Sequence, residues 1–253
     1  MSNDTGTVNR VLRILSCFAA QPAWGLNDLA RALDLPRASA HRLLNLCTPL
    51  NFIDRNDAGQ YVPGVELYRM ASRIAAEMPL HRMAQPVLDA IRDETDETVL
   101  LALLVRSELR MFFSLSASPS HPMRYAVDKN QLQPLTWGAP GRTMLAHLSE
   151  VEIDTVITRG EPSPLDGRPL DAQELRQSLA HSLRDGYLCT HSQRSRDSWG
   201  IAAPFFNASG EIVGSINITV PDFRFPSHSR ERLGKLVRDG ANALTSQAGG
   251  SGA

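Results

Sequence analysis

Near the start of the chain Val8, Val11, Leu12, Leu15 and Phe18 recur at i, i+3, i+4, i+7 and i+10, the spacing of one apolar stripe on a helix. "GLNDLARALDLP" predicts a second, shorter helix with Leu26, Leu29, Ala30 and Leu33 inward and Asn27 or Asp28 as its cap. Pro36 opens a third helix in the first-turn position that proline tolerates, and Pro49 should end or kink it near Thr48. "FIDRNDAGQYV" reads as two short β-prone runs around Asn56-Asp57-Ala58-Gly59, a hairpin signal. "VELYRMASRIAAEM" is a helix leading out of this unit, and Pro79 marks a boundary.

Beyond Pro79 strands and helices mix. "AQPVLDAIRDET" is helical, and "TVLLALLVRSELRMFFSLSAS" reads as two strands around a tight polar turn. The Pro-rich "DKNQLQPLTWGAPG" precedes a helix "RTMLAHL", and "DAQELRQSLAHSLRDG" is a helix closed by Gly186. "GIAAPFFNASGEIVGSINITV" is a hairpin turning at "NASG", "SHSRERLGKLVRDGANALTSQ" a last helix, and "AGGSGA" a flexible end. One sheet with helices packed on it is the architecture this order implies.

Composition narrows the class. The chain has 253 residues, 26 bases against 27 acids and 42% hydrophobic residues, the profile of an ordinary globular protein of one large or two modest domains. "MSNDTGTVNR" carries no apolar segment of a secretory signal, and the longest apolar run, Val99 to Val105, is far too short for a bilayer. Three cysteines far apart, Cys17, Cys47 and Cys189, suit a reducing cytoplasm and give no zinc spacing.

Against that neutral background one stretch stands out. From Leu35 to Ile53 there is no acid, and "LPRASAHRLL" carries Arg37, His41 and Arg42. At about 100° per residue, Pro36, Ala40, Leu43, Leu44 and Cys47 share one arc of the third helix. Arg37, His41, Arg42 and Asn45 share the opposite arc, with Ser39 at its edge. An apolar arc docks such a helix, and the polar arc fits a DNA major groove, where Arg pairs with guanine and Asn with adenine. A carboxylate there would face phosphate, which accounts for its absence. The short "DLP" turn gives helix-turn-helix spacing, and the hairpin forms a wing whose Arg55 reaches the DNA backbone or minor groove. Two Arg and a His also serve simply to solvate an exposed face; the order helix, helix, turn, basic helix, hairpin favours DNA.

The segment from Val8 to Arg73, with "LTWGAPGRTMLAHL" and "GIAAPFFNASGEIVGSINITVPDFRF", resembles IclR-type transcriptional regulators over nearly the whole chain. The resemblance implies an α+β protein. A winged helix-turn-helix (residues 1–64) is joined by a linker helix (65–78) to a GAF-like effector-binding domain (79–247), followed by a tail (248–253). It departs from the family pattern at Asn51, where a Gly usually enters the wing, and at Pro49. Asn tolerates positive φ, so the turn should survive.

The second half contains "CTHSQRSRDSW", with Cys189, His191, Ser195, Asp197 and Ser198, but neighbours in one loop seldom form a triad, and no G-x-S-x-G elbow is present. "GAPGRT" fails as a phosphate loop because Thr136 and Arg142 stand where Gly and Lys are needed, and the seven His show no ligand spacing. No enzyme, cofactor or metal is expected. A small-molecule pocket is the better use of this half. "TWGAPGR" opens a helix, the polar loop "THSQRSRDSW" closes over it, and Asn217 and Thr219 of the last strand face inward. By position, the resemblance implicates Gly138, Ala139, Pro140, Thr190, Gly200, Asn217 and Thr219 in effector binding. The family's loop commonly has a Glu where Gln193 stands and a Gly where Asp197 stands; here Arg194 and Arg196 lie alongside. Arg fits a carboxylate bidentately and Trp137 or Trp199 could stack on a ring, so an organic or aromatic acid is the expected effector. Both Trp also serve as packing residues and both Arg as a solvated loop.

The expected protein is a cytoplasmic, effector-modulated transcription factor, dimeric on a near-palindromic operator of double-stranded DNA, with a dimer of dimers allowed. Its first helix and linker helix supply the contact between copies. Two alternatives stand: a constitutive DNA binder whose C-terminal domain only oligomerises, and a small-molecule enzyme fused to a DNA-binding domain.

Overall fold

The computed structural model describes residues 6–119, 128–225 and 229–249, in two compact units, 1–78 and 79–253. Residues 1–5, His121, His228 and residues 250–253 of the expected tail lie outside the described residues.

The first unit runs α1 (Thr7–Cys17), α2 (Leu26–Ala32), α3 (Arg37–Cys47), β1 (Ile53–Arg55), β2 (Tyr61–Pro63) and α4 (Val65–Glu77). Its core gathers Ile14, Leu29, Leu33, Leu43, Leu44, Cys47, Ile53 and Tyr61. In α1 the buried face centres on Ile14, leaving Val8 and Leu12 exposed at 73% and 58%. The expected stripe is therefore rotated. Val11, Ile14, Leu15 and Phe18 obey the same period, and the apolar arc of this helix is wider than one contact face needs. Gly25, not Asn27 or Asp28, caps α2, and Pro36 sits just before α3 rather than inside it. Asp34 turns α2 into α3 with φ 51°, and Asn51 enters the wing with φ 58°. The β1–β2 hairpin pairs Ile53 with Pro63 and Arg55 with Tyr61. Trp24 adds a bridge to Tyr61 that anchors the wing to the α1–α2 connection, and its indole N–H donates to the Cys17 carbonyl at 3.0 Å.

The second unit is built on a six-stranded antiparallel sheet in the order β5-β4-β3-β8-β7-β6. The strands are β3 (Thr98–Val105), β4 (Arg110–Ala117), β5 (Gln133–Pro134), β6 (Leu188–His191), β7 (Ser198–Phe206) and β8 (Ile212–Pro221). The helices are α5 (Pro79–Thr95), α6 (Ala139–Leu145), α7 (Glu150–Arg159), α8 (Ala172–Asp185) and α9 (Ser229–Gln247). Strand alternation sorts the two faces. Leu100 and Ala102 join Met144, Leu145, Ile153, Val156, Leu175 and Leu179 in a core under α6, α7 and α8. Ile216 lies on the other face, close to Gly240 of α9 and Ile91 of α5. Pro204 interrupts no ladder because β6 pairs only with Trp199 to Ala202 and has ended at that level.

Three elements were not expected. β5 is only two residues long. α7 carries a full capping box, Ser149 with Glu152, in a segment not read as helix. β6 occupies "LCTH", taken to be loop, so the polar loop proper is only 192–197. α6 also begins at Ala139, three residues before the expected "RTMLAHL".

Candidate functional site

In the first unit α3 buries Ala40, Leu43, Leu44 and Cys47 and exposes Arg37, His41, Arg42 and Asn45, with Ser39 half-buried at the edge. Pro36, assigned to the docking arc, is exposed, since it precedes the helix. Ala38 and Leu46 share the exposed side, Leu46 at 52%; apolar groups of this kind meet thymine methyls in a groove. On the wing the Arg55 guanidinium lies 4.6 Å over the Tyr61 ring and donates to its hydroxyl, which fixes its direction.

In the second unit a cavity of about 240 Å³ lies between the sheet and α6. Its floor is Leu100, Thr190, Gly200, Asn217 and Thr219, and its other walls include Phe113, Gly138, Ala139, Pro140 and Arg194. The register explains the floor: Thr190 pairs with Gly200, Gly200 with Thr219, and Asn217 with Leu100, so all five point to one face. Gly138 precedes α6 at φ 83°, a conformation that favours glycine, and the Arg194 side chain fills the place where a Cβ would stand. The Gly138 N–H donates to Gln193 Oε1 at 2.8 Å and the Ala139 N–H to Thr190 Oγ1 at 3.0 Å.

Arg194 is half-buried and has few partners. Its Nη1 donates to the Trp137 carbonyl at 3.3 Å, it faces the Phe113 ring at 6.0 Å, and no carboxylate partner is seen among the described residues. Burial pushes its pKa down to about 10, so the group stays charged at neutral pH. Among the described residues the one acid lining the cavity is Asp128, which is exposed. Asn217, 3% exposed, donates from Nδ2 to Thr219 Oγ1 at 3.0 Å, while its Oδ1 has no donor.

Eight of the eleven expected effector-site residues line this cavity: Gly138, Ala139, Pro140, Thr190, Arg194, Gly200, Asn217 and Thr219. Three do not. Trp137 is 2% exposed, donates its indole N–H to the Glu161 carbonyl, and packs beside Arg142 and Arg168. Trp199 belongs to β7, so alternation turns it away from the face that carries Gly200; its ring lies between His191 and Phe225. Arg196 is exposed in the loop and is not among the lining residues. Leu100, Phe113, Gln133, Gln193 and Ser198 also line the cavity and were not among the expected effector residues. Only the period-2 pattern of their strands, for Leu100 and Phe113, signalled them in the sequence.

The catalytic-looking cluster does not assemble. Burial pushes the Cys189 thiol up to about 11, and His191 Nε2 is tied to Asp222 at 2.8 Å. Among the described residues no group of three or more His, Cys, Asp or Glu could hold a metal ion, and no helix is long and apolar enough to cross a membrane.

Comparison with known proteins agrees over both units. The IclR helix-turn-helix domain model matches residues 7–48, and the model of the bacterial transcriptional regulator IclR C-terminal domain matches residues 72–246. The chain is 25% identical over 250 residues to the HTH-type transcriptional regulator KipR of Bacillus subtilis, covering 98% of this chain and 99% of that one. A solved ICLR-type regulator of Silicibacter sp. TM1040 superposes with a TM-score of 0.88 at 22% identity, covering 97% of each chain. An IclR homolog of Microbacterium hydrocarbonoxydans, complexed with 4-hydroxybenzoate, gives a TM-score of 0.78 at 22% identity over 96% of this chain and 99% of that one.

Proposed function

The chain belongs to the IclR family of bacterial transcriptional regulators, with a helix-turn-helix DNA-binding domain and a C-terminal effector-binding domain, and we propose that its operator binding answers to a small organic acid held in the 240 Å³ cavity. One observation carries the acid: the Arg194 guanidinium faces the cavity without a carboxylate partner among the described residues. A half-buried cation on a cavity wall draws a counter-charge, and a ligand carboxylate supplies one bidentately. The similar protein from Microbacterium hydrocarbonoxydans is complexed with an aromatic acid, which supports the same reading.

On this reading Arg37, Ser39, His41, Arg42 and Asn45 meet the major groove, with Arg55 assisting from the wing. Residues 65–78 act as the linker helix. Two copies bind a near-palindrome, because one winged helix reads too few base pairs for useful specificity. The exposed Val8 and Leu12 of α1 and Val65, Tyr68 and Ile74 of α4 support contact between copies, and a dimer of dimers remains compatible with it. The C-terminal domain binds its ligand without turning it over, in keeping with the raised Cys189 thiol and the tethered His191. A cytoplasmic location goes with that role.

The test is thermal unfolding at fixed salt with benzoate and short aliphatic acids, followed by operator binding with and without any acid that binds. A ligand that binds only the native state raises the melting midpoint by mass action. Arg194→Met should weaken acid binding by about tenfold to a hundredfold, the worth of a hydrogen bond to a charged group. Unchanged affinity in that variant, or no midpoint shift with any acid, would overturn the acid reading.

A further inference from the structure

Asn217 sets a second demand on whatever fills the cavity. It is 3% exposed in the middle of β8, and its amide is half used: Nδ2 donates to Thr219 Oγ1 while Oδ1 receives nothing. A buried acceptor left without a donor is expensive, and native structures retain one chiefly where something else completes it. The space beside it is defined. A methyl group placed on Gly200 would lie 3.5 Å from Asn217 Oδ1, 3.4 Å from Thr190 Oγ1 and 3.8 Å from the Ala139 Cβ. That point is an open notch in the cavity floor, with two oxygens around it and no side chain in it. Among the described residues Gln133 Oε1 is the other cavity-lining acceptor without a donor, but Gln133 stands on β5 at the far edge of the sheet, away from the notch at Gly200 on β7.

The cavity thus carries a cation, Arg194, and a buried acceptor, Asn217 Oδ1, together with apolar lining from Leu100, Phe113, Ala139 and Pro140. Its volume of about 240 Å³ exceeds the roughly 150 Å³ that admits a benzene ring, so one ring or a short chain with polar ends fits. Resting on the reading of this cavity as the effector site, we propose that the effector is a hydroxy acid whose hydroxyl occupies the notch over Gly200 and donates to Asn217 Oδ1. Gly200 and Asn217 are then the specificity-determining pair, and Arg194 supplies the general attraction for acids.

Matched acids test this on the whole protein: 3- and 4-hydroxybenzoate against benzoate, and 2- and 3-hydroxybutyrate against butyrate, with dissociation constants from calorimetry. The expected result is that at least one hydroxy acid binds about tenfold or more tightly than its deoxy counterpart, as a site built around a hydroxyl requires. Two variants locate the cause. Asn217→Leu removes the unpaired Oδ1 together with the bond from Nδ2 to Thr219, whose half-buried hydroxyl water can reach, so the melting midpoint should stay near that of the wild type while the preference for the hydroxyl disappears. Gly200→Ala puts a methyl in the notch at ordinary contact distances, and should keep the midpoint while excluding the hydroxy acid. Equal binding of each pair by the wild type, or a hydroxyl preference that survives in Asn217→Leu, would overturn the hydroxy-acid proposal and leave the acid-binding reading standing. Failure of every acid to bind would overturn both.

Discussion

Arg142 and Arg194 both lie against the loop before α6, and their surroundings make opposite demands. Arg142 is 1% exposed and satisfied: Nε donates to the Thr136 carbonyl at 2.7 Å, and both terminal nitrogens reach Glu174 at 2.5 and 2.8 Å. Glu174 itself is half exposed. The pair is therefore asymmetric. Removing the acid leaves a buried guanidinium with one acceptor, whereas removing the base leaves a carboxylate that water can reach. Glu174→Ala should cost about 3 kcal/mol, towards the range for breaking a buried pair. Arg142→Met should cost about 1–2 kcal/mol, mainly the lost bond to Thr136. Urea midpoints of the two variants decide it, and the reverse order would show that the charge is not what makes the pair matter. At this scale the sequence was informative wherever residue type alone carried the chemistry. Arg194 could be read as a ligand group from the fit of a guanidinium to a carboxylate, though Arg196 carried the same signal and does not line the cavity, and Asn51 could be read as a residue able to turn at positive φ. Trp137 and Trp199 could not be assigned, because whether an indole meets ligand or core depends on which face its segment presents.

Helix α7 shows what a local signal can do once it is recognised. Ser149 accepts from the Glu152 N–H, Glu152 reaches back to the Ser149 N–H, and Arg106 from the β3–β4 turn grips the same carboxylate at 2.7 and 3.0 Å. The Arg106 hydrogen bonds, with those from Ser149, hold the Glu152 carboxyl at about 2. The unfolded chain has an ordinary carboxyl, so as pH falls it takes up the proton first and unfolding is favoured. The contribution is fully present above the ordinary carboxylate range, near 4, and is lost as pH falls towards 2. Glu152→Ala should cost about 1 kcal/mol at neutral pH, the usual worth of a cap, and progressively less below pH 4. Thermal midpoints of wild type and variant across that range check it; a deficit that does not shrink on acidification would place the effect elsewhere. The spacing Ser149-x-x-Glu152 is the signal in the sequence that marks α7, one that the expected order of elements left out. β6 was not legible: Cys189, Thr190 and His191 alternate small and polar groups on a short edge strand whose inner face lines a cavity, so no apolar periodicity marks it.

For the whole molecule, the division into two units followed from chemistry more than from length. The acid-free face of α3 belongs to one task and the mixed sheet after Pro79 to another. The proposed contact between copies rests on a surplus: α1 has more apolar surface than its unit buries, and Leu12 remains 58% exposed. Leu12→Glu should therefore leave the melting midpoint within about 0.5 kcal/mol of wild type, as exposed substitutions do. The same change should halve the sedimenting mass if α1 joins two copies, and weaken operator binding with it. Unaltered mass would move the contact away from α1. Trp24 offers a way to watch such effects from inside. It is the single tryptophan of the first unit, held by Tyr61 and Cys17, while Trp137 and Trp199 lie in the second. Replacing those two by Phe leaves an intrinsic fluorophore that reports on the wing alone. Replacing Trp24 instead gives the complementary emission of the sheet domain, so one chain yields two separate optical channels without an added dye.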